Sequence, residues 1–388
     1  GLANIKPGSH YDHLYYAAQA RAEADWLMGI NASRALSIAY RGGYSLGRVQ
    51  TPTLAMVCHR YMEHRDFTSV PYWKLTAMIE DEGLSIKAVS LQNFDDEAAA
   101  QTALTSLRSI GSLTVTEVTR KVTHTAPPLL YDLTALQKEA NVRHGFSADK
   151  TLTLAQSLYE KKFTTYPRTG SQYISEDVFE EIPALLRKIG EALPTPLNRH
   201  SVDNAKITDH HAIIPTGETP SGLLADEATI YNMVVIRFVE AFSPDSKEER
   251  MQMELTDGTN TFTWKACRPI SLGWKAVQNE TKEGKGEDEE QDLATLPDLK
   301  EGEELPLLSS EITEHKTKPK PLYTEASLLS AMEHAGKEVE EADKRKAMAE
   351  CGIGTPATRA NIIETLILRD YIRREKKSII PTDKGLSV

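Results

Sequence analysis

The sequence lacks the features that mark membrane-bound and secreted proteins. No run of about 18 apolar residues occurs, so no segment is predicted to span a membrane. The first residues (1–4) show no basic-then-apolar signal pattern. Only three cysteines are present, and Cys58, Cys267 and Cys351 are scattered without the CxxC spacing of a zinc site. These absences favour a reducing cytoplasm and argue against a disulfide framework or a bound metal in this chain.

A positive overall charge is also missing, although positive patches are not. The formal net charge is −11, but residues 280–304 hold eleven acids against three lysines, which leaves −3 for the remainder. Two stretches are basic: residues 120–171 carry eight bases against four acids, and residues 344–377 carry nine against four. Because phosphate is bound by local patches and not by the total charge, nucleic-acid binding stays open.

The pattern of apolar residues changes along the chain in a way that indicates several domains. A chain of 388 residues is too long for one compact core. Helical spacing runs through the opening segment and again after Lys316, whereas residues 72–79, 113–118 and 261–266 alternate as strands do. The strand-like stretches flank a helical block, so we expect an α+β protein in which one β domain is interrupted by an insertion. The expected domains are a helical domain (1–65 and 316–388), a β domain (66–124 and 244–315) and an inserted domain (125–243).

Inside the insertion, two residue types predict where helices begin. Asp132 and Ser147 are typical N-cap residues, because a short side chain of this kind accepts a hydrogen bond from a free amide of the first turn. Residues 280–290, which follow the strand-like stretch at 261–266, are rich in Gly, Lys and Glu and are predicted to form a solvated loop.

One short motif places a tyrosine beside an arginine. Residues 165–171 read Thr-Tyr-Pro-Arg-Thr-Gly-Ser and follow a β-prone segment that Pro167 ends. In an extended chain, residues two apart point the same way, so Tyr166 and Arg168 are expected to share a face. A phenol beside a guanidinium suits attack on a phosphodiester, because the arginine binds phosphate and stabilises charge in the transition state. The alternative is an ordinary surface turn that contains an aromatic residue.

A pair of histidines precedes an apolar run in residues 208–215, which read Thr-Asp-His-His-Ala-Ile-Ile-Pro. His210 and His211 could be metal ligands, a phosphate contact or a buried hydrogen-bonded pair. Adjacent side chains diverge and do not easily chelate one ion, which disfavours a metal site. Taken alone, the pattern fits a structural histidine better than a functional one.

Two further motifs offer groups that bind phosphate. In residues 45–53, Arg48 and Gln50 can donate to phosphate or to base edges, although the spacing is not that of a P-loop. In residues 352–359, Thr355 is expected as the N-cap of a helix with proline in its first turn, which exposes backbone N–H groups. Either motif could equally be a plain capped helix.

These four motifs occur in one order, and that order resembles the type IA DNA topoisomerases, within them the bacterial topoisomerase III branch. The resemblance extends over nearly the whole chain, because other segments between the motifs match as well. The matching segments are residues 21–34, 47–52, 136–140, 155–160, 165–171, 210–215 and 352–359.

The resemblance implies a role for each matched residue. Tyr166 would attack a DNA phosphate and hold the 5′ phosphate covalently, which leaves a free 3′ hydroxyl. Arg168 would orient that phosphate, and His210 would help to organise it through hydrogen bonding. The residues implied in DNA binding are Arg21, Asp25, Arg48, Gln50, Gln156, Thr355 and Arg359.

The same resemblance implies an architecture and a cofactor. The family forms a toroid of a helical DNA-binding domain, a β arch and an inserted, winged-helix-like domain that carries the tyrosine. Its N-terminal Toprim domain supplies the acidic group for Mg²⁺, and no matching carboxylate cluster occurs in this sequence. We therefore expect that Toprim precedes residue 1 in a longer parent protein, that the full-length enzyme uses Mg²⁺, and that this chain binds none. We expect the chain, as a monomer, to bind DNA, preferably single-stranded, without cutting it.

Two other functions stay open from the sequence alone. A non-catalytic scaffold that binds single-stranded DNA would use the same groove without cleavage. A tyrosine recombinase also forms phosphotyrosine, but it needs several arginines and a histidine around the tyrosine and makes the opposite, 3′, linkage. The order of the motifs argues against the recombinase.

Overall fold

The computed structural model describes most of the chain. The described residues are 5–207, 209–278, 291–292, 295–335 and 352–388. The loop predicted at 280–290 lies outside them, as do the basic residues 344–346 of the second positive patch.

Helices occupy the two ends of the described chain and the middle of it. The first helix has no buried residue, whereas the helix over Ala225–Phe242 buries ten of its eighteen residues. The helices are α1 (Asp12–Ala39), α2 (Gln50–Arg65), α3 (Glu97–Ile110), α4 (Leu133–His144), α5 (Ala148–Glu160), α6 (Glu176–Lys188), α7 (Ala225–Phe242), α8 (Glu325–Glu333), α9 (Pro356–Leu368) and α10 (Asp383–Ser387).

The predicted helix starts inside the insertion are confirmed. The Asp132 carboxylate accepts a hydrogen bond from the Ala135 amide at 2.6 Å, and the Ser147 hydroxyl accepts one from the Lys150 amide at 3.1 Å. Helix α4 ends at Gly145, which has a φ of 68°. A left-handed residue in this position closes a helix, and glycine adopts it without steric cost. These caps therefore fix where α4 and α5 begin and how the chain turns between them.

The strands form one large sheet and one small hairpin. The strands are β1 (Pro71–Asp81), β2 (Leu84–Ser90), β3 (Ser112–Thr125), β4 (Ser246–Thr256), β5 (Thr261–Ser271), β6 (Gln291–Asp292), β7 (Glu304–Lys316), β8 (Ile372–Glu375) and β9 (Ser378–Pro381). Strand order in the large sheet is β2-β1-β7-β3-β4-β5-β6, and β8 pairs with β9 in the hairpin.

The large sheet closes on itself and carries the insertion between two paired strands. Strand β2 also pairs with β5, at Val89 opposite Thr263, so the six strands from β2 to β5 make a closed ring. Strands β3 and β4 are antiparallel and remain paired as far as Thr125 opposite Ser246. The chain leaves the sheet after β3 and returns in β4, so residues 127–242 form an excursion from a continuous sheet. We call residues 127–242 the tyrosine region, residues 71–125 and 246–316 the sheet region, and residues 5–65 and 317–388 the helical region.

Each region has its own apolar core. In the sheet region, residues such as Leu75, Ile86 and Phe262 are buried inside the ring, and α3 covers it. In the helical region, Leu329 and Ile363 are among the buried residues that join α2, α8 and α9. Two further clusters fill the tyrosine region. Burial of one such side chain stabilises the fold by roughly 1.5–3 kcal/mol.

The α+β organisation expected from the sequence is confirmed, with mixed helical and sheet regions rather than one uniform class. Among the helices that the structure describes, none is long and apolar enough to cross a lipid bilayer.

Candidate active site

The backbone around the candidate tyrosine is held firmly by a neighbouring segment. The Thr165 amide donates to the Ile214 carbonyl at 2.9 Å, and the Ile214 amide donates back to the Thr165 hydroxyl at 2.9 Å. The same hydroxyl donates to the Ala212 carbonyl at 3.0 Å. The β-prone segment predicted here is reduced to one isolated bridge, between Thr164 and Pro215. The chain before the tyrosine is therefore fixed by three hydrogen bonds rather than by a regular strand.

Beyond that bridge, burial alternates from residue to residue. Pro167 and Thr169 are buried, whereas Tyr166 is half-buried and Arg168 is exposed. The Thr169 hydroxyl donates to the His210 carbonyl at 2.9 Å. The two functional candidates therefore lie on the open side of the segment, in agreement with the expected common face, while the alternate residues anchor it.

The tyrosine ring lies in a small aromatic cluster. The centroids of the Tyr166 and His210 rings are 4.5 Å apart, with an angle of 49° between the planes. Tyr159, on α5, meets the Tyr166 ring edge-on at 5.3 Å. Among the described residues, no hydrogen-bond partner is present for the Tyr166 hydroxyl. A phenol held by its ring but open at its oxygen is placed to react with a molecule that enters from solvent.

The two adjacent histidines have different surroundings. His210 is exposed beside Tyr166, whereas the His211 Nδ1 atom lies 2.8 Å from the Ala212 carbonyl oxygen. The side chains diverge, as expected for neighbours in an extended chain. His210 is therefore the one that can contact a ligand of Tyr166, and His211 serves the backbone.

Arg168 completes the open side of residues 165–171, which we call the tyrosine segment. Its side chain is exposed, and within the described part of the chain no acid or carbonyl binds it. An arginine without an internal partner keeps its N–H groups for an anion such as phosphate.

A cleft of about 950 Å³ lies beside this segment and brings several sequence-predicted residues together. Gly170 lines it, and a Cβ atom on Gly170 would meet Pro356 Cγ at 3.5 Å. The tyrosine segment therefore borders the loop that begins α9. Of the predicted DNA-binding residues, the cleft is lined by Arg21, Arg48, Thr355 and Arg359.

At the rim of the cleft, Arg48 is paired with Asp25. Its Nη2 atom donates to the Asp25 carboxylate at 3.0 Å, and its Nε atom donates to the other oxygen. Both side chains are about half exposed, so the pair is worth at most about 1 kcal/mol. Arg21 is exposed on the same helix as Asp25. The rim thus carries cations that can change partner at low cost.

Two other predicted DNA contacts lie away from the cleft lining. Gln50 is buried: its Nε2 atom donates to the Ser45 hydroxyl at 3.1 Å, and its Oε1 atom accepts from Arg369 at 2.6 Å. Gln156 is half-buried on α5 and donates to Glu160 at 3.0 Å. Their contacts with DNA stay predictions.

Thr355 and Arg359 use the same loop in different ways. Thr355 is the N-cap of α9, as predicted, and its amide donates to the Thr358 hydroxyl at 3.1 Å. Arg359 is only 3% exposed, and its Nε atom donates to the Ile353 carbonyl at 3.1 Å. The guanidinium therefore forms part of the wall of the cleft, while Thr355 lies at its surface.

Two acids in this wall were not predicted to be functional. Asp132 was predicted only as a helix cap, and Glu333 comes from α8, far along the chain. Burial raises the pKa of the Asp132 carboxyl to about 6, although the Ala135 amide opposes the shift. No sequence pattern links these two acids, because their proximity depends on the packing of α4 against α8.

No group of three or more His, Cys, Asp or Glu side chains converges in the part of the chain that the structure describes.

Comparison with known proteins decides the family. A family model described as DNA topoisomerase matches residues 9–388. The chain belongs to the type IA DNA topoisomerases. It is similar to DNA topoisomerase 3 of Bacillus subtilis (36% identical over 405 aligned positions) and of Bacillus licheniformis (38% over 408). Each match covers 99% of this chain and 55% of the relative.

A solved topoisomerase agrees in fold. Full-length topoisomerase I from Thermotoga maritima superposes with a TM-score of 0.71 at 28% identity, over 94% of this chain and 58% of that one. The family expected from the order of the motifs is therefore confirmed, and within it this topoisomerase is close to topoisomerase III. The chain spans about half the length of the curated relatives that it matches.

Proposed function

We propose that this chain is the part of a topoisomerase III-like enzyme that cuts one DNA strand with Tyr166, allows another strand to pass and reseals the cut. The observation that carries the proposal is the arrangement at the tyrosine. The ring of Tyr166 is held against His210, Arg168 lies on the same open side, and the backbone beneath them is fixed by Thr165. A strand that enters beside this segment would meet nucleophile and cation together.

The proposed reaction is a transesterification that conserves the number of phosphate esters. The Tyr166 oxygen attacks phosphorus and loses its proton, a bond to phosphorus forms, and the bond to the 3′ oxygen breaks as that oxygen gains a proton. Arg168 stabilises the charge on the phosphate oxygens, and His210 orients the same group. The reverse attack by the 3′ hydroxyl restores the strand, so no ATP is needed.

The family resemblance implies that the proton donor for the 3′ oxygen and the Mg²⁺ site both lie on the Toprim domain. We assign both to a part of the enzyme outside this chain. Charge stabilisation by Arg168 and His210 alone would leave most of the barrier, because the departing alkoxide needs a general acid. The chain by itself is therefore expected to bind DNA with or without Mg²⁺ and to leave it uncut.

The preferred ligand of the chain is proposed to be single-stranded DNA. The exposed rim cations Arg21 and Arg48 and the exposed Arg168 supply backbone contacts, and each contact with phosphate releases counterions. The affinity is therefore expected to fall steeply with salt, with little dependence on sequence. We propose that the enzyme acts as a monomer in the cytoplasm.

The test uses the full-length enzyme, an end-labelled single-stranded oligonucleotide and Mg²⁺, quenched with detergent. Tyr166→Phe is expected to abolish the covalent protein–DNA adduct while the dissociation constant for the oligonucleotide is nearly unchanged. Tyr159→Phe is the matched control, because it removes a hydroxyl from the ring that contacts Tyr166 and is expected to keep the adduct. An adduct that persists in Tyr166→Phe would contradict the proposal, and full binding with no adduct in any form of the enzyme would indicate a non-catalytic scaffold.

A further inference from the structure

Four charged side chains meet where the tyrosine region packs on the helical region. In the tyrosine region, Asp132 is the N-cap of α4 and Lys138 lies in that helix; in the helical region, Glu333 and Arg359 belong to α8 and α9. The Lys138 Nζ atom lies 3.0 Å from Glu333, and the Arg359 Nη1 atom lies 3.8 Å from the other oxygen of the same carboxylate. Two acids and two bases leave this interface with no net charge.

Besides the Lys138–Glu333 pair, Arg359 also spans the boundary. In its own region, the Nε atom donates to the Ile353 carbonyl at 3.1 Å and the Nη2 atom to the Gly354 carbonyl at 3.3 Å. Across the boundary, the Nη1 atom donates to the Thr134 hydroxyl at 3.4 Å. One planar side chain thus ties the loop before α9 to the first turn of α4.

The first turn of α4 is in turn bonded to the tyrosine segment. The Leu133 amide donates to the Thr169 carbonyl at 3.1 Å, three residues after Tyr166. Gly170, the next residue, lines the same cleft as Pro356 of α9. A displacement of α4 relative to α9 would therefore reach the backbone near Tyr166 through the Leu133–Thr169 hydrogen bond.

The burial of these charges is costly, which argues that the contact has a purpose other than stability. Burial raises the pKa of Asp132, and the attraction of Lys138 and Arg359 only partly offsets the shift. Burial likewise lowers the pKa of Arg359, against the pull of Glu333 and Asp132. Apolar residues of similar volume often hold such an interface more firmly, whereas an ion pair specifies one geometry.

We propose that Arg359 is a positioning residue, which acts through Thr134 and the Leu133–Thr169 hydrogen bond to hold Tyr166 in place at the cleft. The role differs from the DNA contact that the sequence predicted for Arg359. It rests on the proposed function only in that Tyr166 is the nucleophile; the tie between the regions is a property of the fold.

The first measurement is amide hydrogen exchange on the full-length enzyme without DNA. In Arg359→Gln, the peptides that cover residues 130–137 and 352–359 are expected to exchange about tenfold faster, because the local opening there becomes easier. The control is Arg268→Gln, which removes a partly buried ion pair with Glu249 inside the sheet region. The control is expected to leave both peptides unchanged. This readout does not depend on the identity of the nucleophile.

The second measurement separates positioning from binding. In Arg359→Gln, adduct formation is expected to fall by about tenfold to a hundredfold, as a misplaced catalytic group does. The dissociation constant for single-stranded DNA is expected to change by less than about threefold, within the range of a change that touches no ligand. Arg359→Lys keeps the charge but not the planar set of donors, and it is expected to recover part of the adduct.

The outcomes distinguish the alternatives. If hydrogen exchange at residues 130–137 is unchanged in Arg359→Gln, Arg359 does not hold the two regions together. If the affinity for DNA falls as much as adduct formation does, Arg359 is a DNA contact instead. If Arg359→Gln does not fold, Arg359→Lys carries the same two measurements with smaller expected changes. A failure of Tyr166→Phe to lose the adduct, with exchange altered as expected, would contradict the proposed nucleophile and keep the tie.

Discussion

The tyrosine segment and the cleft beside it differ in whether their candidate functional side chains have polar partners within the protein. At the tyrosine segment, the backbone is fixed by Thr165 and Thr169, and the side chains of Tyr166 and Arg168 have no polar partner among the described residues. In the cleft, two of the arginines are already bound by acids, because Asp25 pairs with Arg48 and Glu333 lies 3.8 Å from the buried Arg359 of α9.

This difference fits the role that the proposed function gives to each surface. A reacting group needs a rigid support and an open end, since a small misplacement is costly in a transition state. On a surface that binds a long polyanion, the cations can be paired with acids of the same protein. Exposed ion pairs are weak, so phosphate can replace the acid. Variants that break an ion pair of the cleft, or that remove the unpaired side chain of Arg168, therefore test the comparison.

The largest effect, on the rate of adduct formation, is expected at Arg168, whose side chain has no polar partner among the described residues. Arg168→Ala in the full-length enzyme is expected to lower the rate of adduct formation by about a hundredfold to a thousandfold, because it removes a donor to the transition-state phosphate. The single-turnover rate on a labelled oligonucleotide gives the measurement. Arg168→Lys is the matched control and is expected to recover part of the rate, since it keeps the charge without the paired donors. A loss of less than about threefold in Arg168→Ala would show that the open arginine does not contact the reacting phosphate.

Much of this architecture could be predicted from the sequence. The N-caps Asp132, Ser147 and Thr355 are local signals, since a cap depends on the residue and its next three neighbours. The alternation of strand-like residues predicted a sheet interrupted by a helical insertion, and the pairing of β3 with β4 has that form. The family was predicted from the order of its motifs and is confirmed.

The partners of the predicted residues could not be read from the sequence. Gln50 and Arg359 have side chains that bind phosphate well, yet both are buried on internal partners. Glu333 carries no local signal at all, because its proximity to Asp132 results from the packing of α8 against α4. Residue type and spacing predict what a side chain can bind, whereas only tertiary packing decides what it does bind.

An effect of intermediate size, on the free energy of unfolding, is expected at Asp132 in the wall of the cleft. Burial makes the ionised form of this carboxyl unfavourable. Its folded-state pKa of about 6 lies above the ordinary value of 3.8, so the protonated form favours folding. That contribution is fully present below about pH 4 and is lost as the pH rises through about 6. Asp132→Asn is expected to raise the free energy of unfolding at pH 8 by on the order of 2 kcal/mol, because asparagine keeps the cap without the charge.

The measurement is chemical denaturation of wild type and Asp132→Asn at several pH values between 4 and 8. The gain is expected to shrink as the pH falls and to vanish near pH 4. Asp96→Asn is the matched control, because Asp96 caps α3 through the Ala99 amide at an exposed site of the sheet region. A constant difference across the pH range would show that burial does not control the Asp132 carboxyl.

The smallest effect is expected at the rim, where Asp25 holds Arg48. Asp25→Asn removes a negative charge from the path of the DNA and releases the guanidinium, so the affinity for single-stranded DNA is expected to rise about twofold to fivefold at low salt. The plot of log affinity against log salt is expected to steepen by about 0.7, the value for one further phosphate contact on a single strand. Arg48→Gln is expected to do the reverse.

The double variant decides the mechanism: if Asp25 acts only by occupying Arg48, Asp25→Asn adds almost nothing once Arg48 is gone. Weaker binding by Asp25→Asn would show instead that the carboxylate holds Arg48 in the orientation that DNA needs, and that the cleft, like the tyrosine segment, presents its cation on a fixed support.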